Sequence, residues 1–227
     1  ALARQGHNLV LSGRRASNLE SLKADYIPDA KIIPLDVTDE IAIKNVYDEI
    51  KKYFPFIDSV ILMSAEYHPM TVDNLDLEKC RNIIDANLLA AFSILHVVVP
   101  DFKRLGHGQL VFCGSVAGYR GLPNGQPYSA SKAALINLAE TARSELDPFG
   151  IDIKIINPGF VKTEMTDKNS FTMPMIISPS VAADRIAVQL LNPRSFEIRT
   201  HGIFSFLMKV MRILPYTIYF RLMRKWI

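Results

Sequence analysis

Short apolar runs alternate along the chain with longer stretches in which apolar and polar positions are mixed. The short runs predict buried strands, and the mixed stretches predict helices with one apolar face. Strands that are separated by helices are typical of a parallel sheet covered on both faces, so the pattern predicts an α/β fold with a doubly wound parallel sheet. The predicted strands are 8–12, 31–34, 59–63, 109–113 and 152–156, and the predicted helices are 16–26, 40–54, helices within 77–105, 128–146 and 180–191.

Length and composition fit one α/β domain with an ordinary core. The chain has 227 residues and a net charge of +3, and no Pro/Gly/Ser-rich linker or repeat divides it. Its two cysteines give no disulfide framework and indicate a reducing compartment, so we expect a cytoplasmic protein. The five histidines lack ligand spacing, which argues against a metal site, and no basic-aromatic stripe over the body indicates a nucleic-acid partner.

A serine, a tyrosine and a lysine form the most specific pattern in the chain, in GSVAG at 114–118 and YSASK at 128–132. Tyr128 and Lys132 are four residues apart in a predicted helix and therefore share one face. We expect the nearby ammonium to lower the Tyr128 pKa toward the working range. Ser115 follows a predicted buried strand, where its hydroxyl can point at a bound carbonyl. These groups suit carbonyl–alcohol interconversion; the alternative for Tyr128 and Lys132 is an ordinary solvated pair on a helix.

The ordered set Asn87, Ser115, Tyr128 and Lys132 resembles the catalytic tetrad of the short-chain dehydrogenase/reductase family, in which Tyr and Lys are spaced YxxxK. The resemblance runs over residues 1–192 and implies a Rossmann-like catalytic domain there, with a last strand and basic, apolar helices over 193–227. It implies hydride exchange between a nicotinamide dinucleotide and a small carbonyl or alcohol, with Tyr128 as acid/base, Ser115 on the oxygen, Lys132 on the nicotinamide ribose and Asn87 holding a water that links Lys132 to solvent. It also implies a homodimer or homotetramer.

The start of the chain departs from the family's pattern. Residues 1–6, ALARQG, predict the end of a helix that closes on Gly6 and leads directly into strand 8–12. A dinucleotide-binding fold begins instead with a strand and a glycine-rich turn that holds the pyrophosphate, and the family carries TGxxxGxG in this turn. We therefore expect about twenty further residues before Ala1 in the natural protein. The intact mass of natural protein would test this.

Basic residues at the end of the first predicted strand favour NADP(H) over NAD(H). An NAD site would place an acid there, whereas this chain has Gly13 followed by Arg14 and Arg15. A guanidinium suits the 2′-phosphate through charge-assisted hydrogen bonds. Arg14 is the better placed of the two, and Arg15 is equally well explained as a solvated residue at a helix start.

Three further segments resemble cofactor-binding segments of the family. Asp36 and Val37 match an Asp-Val pair beside the adenine, although Asp36 also suits an ordinary cap or turn. In NPGFVKT at 157–163, the matching residues imply contacts with the nicotinamide carboxamide. Where the family has NNAG, residues 63–66 read MSAE, and only Ala65 keeps a small residue near the cofactor. The matching residues of 157–163 are Pro158, Gly159, Val161 and Thr163.

The residues after Thr163 lie where the family has a mobile substrate lid, and apolar side chains there predict a wall for a lipophilic substrate. That wall would consist of Phe171, Met173, Met175 and Ile176 within 165–177.

The carboxyl-terminal segment concentrates positive charge, since residues 194–227 carry a net +6 and the remainder −3. Residues 203–214 and 216–227 each predict an apolar helix, with a break at Pro215. Basic residues within the stretch argue against a spanning helix. Two alternatives stay open: the helices contact a membrane surface, which would make the protein peripheral on the cytoplasmic face, or they pack on the body or a second subunit and roof the substrate crevice.

Two functions from different classes follow. The first is an NADP(H)-dependent oxidoreductase acting on a small, lipophilic carbonyl or alcohol. The second is a non-catalytic dinucleotide-sensing or membrane-docked binding protein on the same fold, since a fold alone does not assign function. The complete set of four site residues favours the enzyme, because a sensor needs no proton donor.

Overall fold

A computed structural model describes residues 1–169, 171–193 and 195–224. Six strands and eight helices follow one another, and every strand and helix predicted over residues 8–191 is present. The helix predicted at 128–146 matches end to end, whereas the first two strands are shorter than predicted. Arg194 and residues 225–227, which include Lys225 and Trp226 of the predicted basic tail, lie outside the described residues. The strands are β1 Val10–Leu11, β2 Lys31–Ile32, β3 Ser59–Leu62, β4 Gly108–Cys113, β5 Ile151–Asn157 and β6 Glu197–Arg199; the helices are α1 Ala16–Tyr26, α2 Glu40–Tyr53, α3 Leu77–Ile84, α4 Ala90–Leu105, α5 Tyr128–Leu146, α6 Pro179–Leu190, α7 Gly202–Ile213 and α8 Tyr216–Met223.

All strand pairs are parallel, as predicted, but the described strands form two sheets. One sheet pairs β1 with β2, and the other has the order β3-β4-β5-β6. In the doubly wound order 3-2-1-4-5-6, the first strand lies between the second and the fourth. The unpaired edges of β1 and β3 therefore correspond to the two neighbours of such a first strand. The segment expected before Ala1 stays a prediction.

The core lies between the four-stranded sheet and the helices that cover it. Strand β4 buries the apolar run 110–112, and β5 buries its four isoleucines, which is typical of parallel strands covered on both faces. Leu110 and Phe112 of β4 and Ile153 of β5 pack in one cluster with residues of α4 and α5. The helical stretch Leu77–Leu105 is long and apolar enough, by length and composition alone, to cross a membrane. Its Val98 and Phe102 are fully buried in this cluster, as expected for the central helix of a globular α/β fold.

Lys154 is a fully buried cation in the middle of β5. Its ammonium donates to the carbonyl oxygens of Asn192 at 2.7 Å and Ser195 at 2.6 Å, and it lies 3.2 Å from the Asp152 carboxylate. The lysine therefore fixes the connection between α6 and β6 to the centre of the sheet. The sequence pattern of the strand does not indicate this contact.

The two carboxyl-terminal helices pack on the body through their inner faces. Phe204, Met208 and Met211 of α7 join the main core cluster. Glu197 of β6 accepts hydrogen bonds from Lys209 of α7, Tyr119 and Asn157. Burial acts to raise the pKa of Glu197, but these hydrogen bonds outweigh it and hold the pKa below its usual value. The carboxylate is thus an ionised anchor for α7.

Candidate active site

The predicted functional residues lie at one edge of the sheets, beyond the carboxyl ends of the strands. Arg14 follows β1, Asp36 follows β2, Ala65 follows β3, Ser115 follows β4 and Pro158 follows β5. Parallel strands bring these ends to the same side of the fold, where ligands of doubly wound proteins bind. The topology therefore gathers segments that are far apart in sequence.

Tyr128, Ser115 and Lys132 meet at the start of α5. Tyr128 is the first residue of the helix, and the nearby Ser115 side chain acts to lower the pKa of its hydroxyl. One turn further on, Lys132 is 1% exposed, and its Nζ donates to the Cys113 carbonyl oxygen at 2.7 Å. This Nζ lies 5.5 Å from the centre of the Tyr128 ring. Lys132 is thus buried and Tyr128 half-buried at the crevice, and the alternative of a solvated pair on a helix is wrong.

The expected direction of the Tyr128 pKa is also wrong. Burial raises the pKa of Tyr128 above its ordinary value, the neighbouring Cys113 thiol acts in the same direction, and the Ser115 hydrogen bond offsets only part of this. Burial likewise lowers the pKa of Lys132. Each group loses its hydration when α5 packs against β4, and this loss disfavours both charged forms. Side-chain spacing along a helix carries no information on that desolvation.

A glycine sets how closely the serine-bearing turn approaches α5. A Cβ on Gly118 would lie 2.7 Å from the backbone carbon of Lys132, closer than real side chains come. The turn at 116–118 therefore packs directly on the helix backbone that carries Lys132. Ser115 caps this turn, since its Oγ accepts from the Ala117 N–H at 3.1 Å. The motif thus fixes Ser115 relative to Tyr128.

Asn87 positions the loop after β3. It lies in a widened helical turn, Asp85–Leu89, between α3 and α4, and it is 1% exposed. Its Oδ1 accepts from the Glu66 N–H at 2.7 Å, while its Nδ2 donates to the Glu66 carbonyl at 3.0 Å and to Ser131 Oγ at 3.1 Å. The side chain therefore joins this loop to α5, and the expected water link to Lys132 stays a prediction.

Tyr67 is a site residue that the sequence analysis did not identify. Its ring packs edge-on against Tyr128, with 5.0 Å between the ring centres, and its hydroxyl donates to Asn169 Oδ1 at 2.7 Å. The Tyr67 carbonyl accepts from Lys168 at 2.8 Å. These contacts connect the predicted lid to Tyr128. The available signal was an aromatic residue two positions after Ala65, at a strand end.

Arg14 lies at the crevice but already has an acidic partner. Its Nη2 donates to Glu66 Oε2 at 3.1 Å, and the other oxygen of Glu66 lies 3.1 Å from His68 Nε2. Arg14 is 61% exposed and Glu66 23%. The departure from NNAG thus places a carboxylate beside the arginine predicted to bind the 2′-phosphate.

The other adenosine-side residues have structural roles in the described chain. The Thr38 N–H and hydroxyl both donate to Asp36, and these bonds, helped by the charge of Arg14, lower the Asp36 pKa. Asp36 therefore acts as a turn residue, as the alternative had it, while Asp39 caps α2. Val37 packs on the core. Arg15 pairs with Glu164 at 3.2 Å, and both are well exposed, as expected of a solvated residue.

The segment after β5 is held from two sides. The Pro158 carbonyl accepts from the Val116 N–H at 3.1 Å, which ties it to the serine-bearing turn. Val161 pairs with Ile177 as an isolated parallel bridge, so the two ends of the predicted lid meet. Thr163 is exposed, and its N–H donates to Thr166 Oγ1 at 2.9 Å.

The predicted lid covers an apolar region beside α7. Phe160 contacts both Phe171 of the lid and Phe204 of α7, with ring centres 5.9 and 5.5 Å apart. A groove of 880 Å³ lies between the lid, α6 and α7, and Met175 and Ile176 line it. The Tyr128 site does not line this groove. Three of the four predicted wall residues are well exposed: Phe171 50%, Met175 54% and Ile176 41%.

Two features of the site fit a nicotinamide dinucleotide. An ammonium has three donors, and within the described residues Lys132 uses one of them, on Cys113. The Ser64 hydroxyl, at the end of β3, is buried without a partner among the described residues. Ribose and amide groups would satisfy such atoms, and Arg14 suits a phosphate. The residues able to hold the cofactor are Arg14, Asp36, Val37, Ala65, Tyr128, Lys132, Pro158, Gly159, Val161 and Thr163.

Comparison with known proteins agrees with this geometry. The family model described as short chain dehydrogenase matches residues 1–173. An uncharacterized oxidoreductase of Myxococcus xanthus (strain DK1622) is 33% identical over 187 residues, which cover 81% of this chain and 74% of that protein. Among solved structures, an alcohol dehydrogenase from the archaeon Thermococcus sibiricus, complexed with 5-hydroxy-NADP, is 22% identical with a TM-score of 0.77, covering 87% of each chain. ElxO with NADP bound is 20% identical with a TM-score of 0.77, covering 88% of this chain and 90% of that one.

Proposed function

Since the chain belongs to the short-chain dehydrogenase family, we propose that it is an NADP(H)-dependent oxidoreductase that interconverts a carbonyl and an alcohol on a small, lipophilic substrate. The observation that carries the proposal is the convergence of Ser115 and Tyr128 with the buried Lys132 at the carboxyl end of β4. A proton donor, an oxygen-directed hydroxyl and a buried ammonium converge there. A binding protein that performs no chemistry would have no need of this arrangement.

In the reductive direction, NADPH when bound would supply the hydride for the carbonyl carbon and leave as NADP⁺. The Ser115 hydroxyl donates to the carbonyl oxygen and favours the charge that develops there. Tyr128 gives its hydroxyl proton to the same oxygen, so that the alcohol is neutral, and takes a proton back in the oxidative direction. The raised pKa keeps Tyr128 protonated at neutral pH, which suits the donor role. The remaining donors of Lys132 would hold the nicotinamide ribose.

Cofactor choice rests on Arg14. The relatives that contain NADP or 5-hydroxy-NADP support a nicotinamide dinucleotide, and the guanidinium after β1 supports the phosphorylated form. In this proposal the 2′-phosphate displaces Glu66 from Arg14, so Glu66 competes with the cofactor. The lipophilic substrate is supported by the exposed apolar side chains of the lid. The homodimer or homotetramer and the cytoplasmic location stay predictions, and light scattering and cell fractionation test them.

The test uses the natural full-length protein with the Tyr128→Phe variant. NADPH consumption with a panel of lipophilic ketones and aldehydes reports activity, and calorimetry reports nucleotide binding. We expect kcat/KM to fall about 10²- to 10⁴-fold in Tyr128→Phe while NADPH still binds, because the proton donor is removed and the other residues that hold the cofactor remain. Tyr26→Phe, on an exposed tyrosine of α1, is the control. Full turnover in Tyr128→Phe would overturn the assignment, and NADPH binding without turnover on any substrate would favour the binding protein.

A further inference from the structure

The outer face of the two carboxyl-terminal helices is apolar and exposed. On α7 the exposed apolar residues recur at the helical spacing of three and four, opposite the face that packs on the core. They continue onto α8 and together form what we call the outer face. Its members, with exposed fractions, are Ile203 69%, Phe206 62%, Leu207 50%, Val210 36%, Ile213 79%, Tyr216 70%, Ile218 46%, Phe220 55% and Leu222 42%.

The exposed apolar side chains of these two helices amount to an area comparable with the largest apolar patch of a monomeric protein. The biggest apolar patch of a typical monomer covers about 300–600 Å². Because an aromatic side chain carries ~150–250 Å², the exposed parts of Phe206 and Tyr216 alone present roughly 200 Å². The seven aliphatic and aromatic neighbours add to this. We therefore expect another apolar surface to cover the outer face.

Contacts beneath the helices hold the outer face in place. The Arg120 guanidinium lies under α8, 4.5 and 4.4 Å from the ring centres of Tyr216 and Tyr219, and it donates to the Arg212 carbonyl at 2.8 Å. The Tyr219 hydroxyl donates to the Gly121 carbonyl. The helices are thus anchored to the body, and their exposed side does not result from detachment.

The positive charge near the outer face favours an anionic lipid surface over a second copy of the protein as its binding partner. From Ile198 to the end of the chain there is no Asp or Glu, while six Lys/Arg residues occur. Of these, Arg199 and Lys209 pair with Glu197, whereas Arg212, Arg221 and Arg224 have no acidic partner among the described residues. A symmetric contact with a second copy would place two such cationic surfaces against each other, which is unfavourable. An anionic lipid surface instead offers both an apolar interior and negative headgroups. We propose that the outer face docks the protein on an anionic membrane surface, with the helices lying in the interface.

The position of the outer face relative to the lid fits this docking. Phe204, on the inner side of α7, contacts Phe160 after β5, and Phe160 contacts Phe171 of the lid. The groove between lid and α7 is bordered by Ile203 of the outer face. A membrane-docked protein therefore holds its lid close to the lipid boundary. The docking itself does not depend on the proposed reaction.

The experiment is co-sedimentation of the natural full-length protein with phosphatidylcholine vesicles, with and without phosphatidylglycerol. We expect binding to the anionic vesicles that weakens with salt. Arg221→Gln/Arg224→Gln should weaken it roughly 25-fold, at about fivefold for each arginine near an anionic surface. Phe206→Ser/Ile213→Ser should weaken it more than about tenfold because less apolar area enters the interface. The control is Ile41→Ser/Val72→Ser, on exposed apolar residues elsewhere (74% and 77%), which should bind as the parent does.

Circular dichroism and melting curves establish that each variant is folded. Absence of binding to anionic vesicles by the folded parent would overturn the proposal, as would equal binding by the parent and both outer-face variants. Light scattering tests the alternative that a second copy of the protein binds the outer face. If Phe206→Ser/Ile213→Ser converts an oligomer to a smaller species without changing vesicle binding, the outer face is an interface between copies and the proposal is wrong.

Discussion

Replacing Glu66 with glutamine should strengthen NADPH binding and leave NADH binding nearly unchanged. In the structure the Arg14 guanidinium donates a hydrogen bond to Glu66 Oε2 at 3.1 Å. In the proposed complex the 2′-phosphate of NADPH binds the same guanidinium. Glutamine keeps the size of the side chain and its backbone contacts with Asn87 but removes the charge. The variant therefore isolates the competition for Arg14.

The expected gain in NADPH affinity follows from the exposure of the Arg14–Glu66 pair and from the charge of the phosphate. The pair is partly exposed, at 61% for Arg14 and 23% for Glu66, so its loss costs about 0.2–1 kcal/mol. A carboxylate ~6 Å from a phosphate in a watery setting adds roughly 0.7 kcal/mol of repulsion for each phosphate charge. For a single phosphate charge the two effects together predict a roughly five- to twentyfold tighter NADPH complex, since about 1.4 kcal/mol corresponds to a factor of ten.

The assay is isothermal calorimetry of NADPH and NADH with the full-length protein, and of 2′,5′-ADP and 5′-AMP as fragments that need no catalysis. Glu164→Gln is the matched control, because Glu164 pairs with Arg15 and not with Arg14. Arg14→Ala should weaken NADPH alone. If Glu66→Gln leaves the NADPH to NADH ratio unchanged while the parent binds NADPH, the competition is refuted. If neither nucleotide binds any variant, the proposed function fails instead.

Three further predictions concern the residues that support the site and the fold around it. Gly118→Ala would place a Cβ 2.7 Å from the Lys132 backbone, so we expect the unfolding free energy to fall by about 1–3 kcal/mol and kcat to fall strongly. Gly121→Ala, which has open space around it, is the control and should change neither quantity. Lys154→Met should cost about 2–5 kcal/mol in urea unfolding because two buried carbonyls lose their donor; an unchanged midpoint would show that apolar packing compensates. Since hydrogen bonds lower the Glu197 pKa, the unfolded chain binds its proton first on acidification, and stability is lost as pH falls through the folded pKa, below the ordinary value of 4.5. Acid titration of the melting temperature should be flatter in Glu197→Gln, and equal slopes would contradict this.

The local sequence was enough to predict those elements whose structure depends on one continuous segment. The helix over 128–146 follows from its helix-favouring residues, and the αL conformation of Gly6 closes the short turn at Ala3–Gln5 as its position predicted. The order of strands and helices also predicted that Ser115 and the residues after the other strands share one edge. Topology alone brings these positions together, and no side-chain detail is needed.

Features that depend on contacts between distant segments could not be predicted. The Tyr128 pKa direction depends on how deeply α5 is buried, and the Glu66 to Arg14 pair joins positions 52 residues apart. The same holds for Tyr67, whose partner Asn169 lies in the lid, and for Lys154 in an otherwise apolar strand. In each case, side-chain reach across the fold decides the contact, and periodicity describes only the exposed and buried faces of one element.

The uneven burial of the helices and strands has a consequence for local opening. None of the residues of α1 is buried, whereas β4 and β5 supply the packed centre of the core. Backbone amides of α1 should therefore exchange with solvent long before those of β4. A ligand that contacts Arg14 at one end and Lys132 at the other would couple this loosely held segment to the packed centre. Nucleotide would then slow exchange mainly in the first forty residues, far from the bond that it reduces.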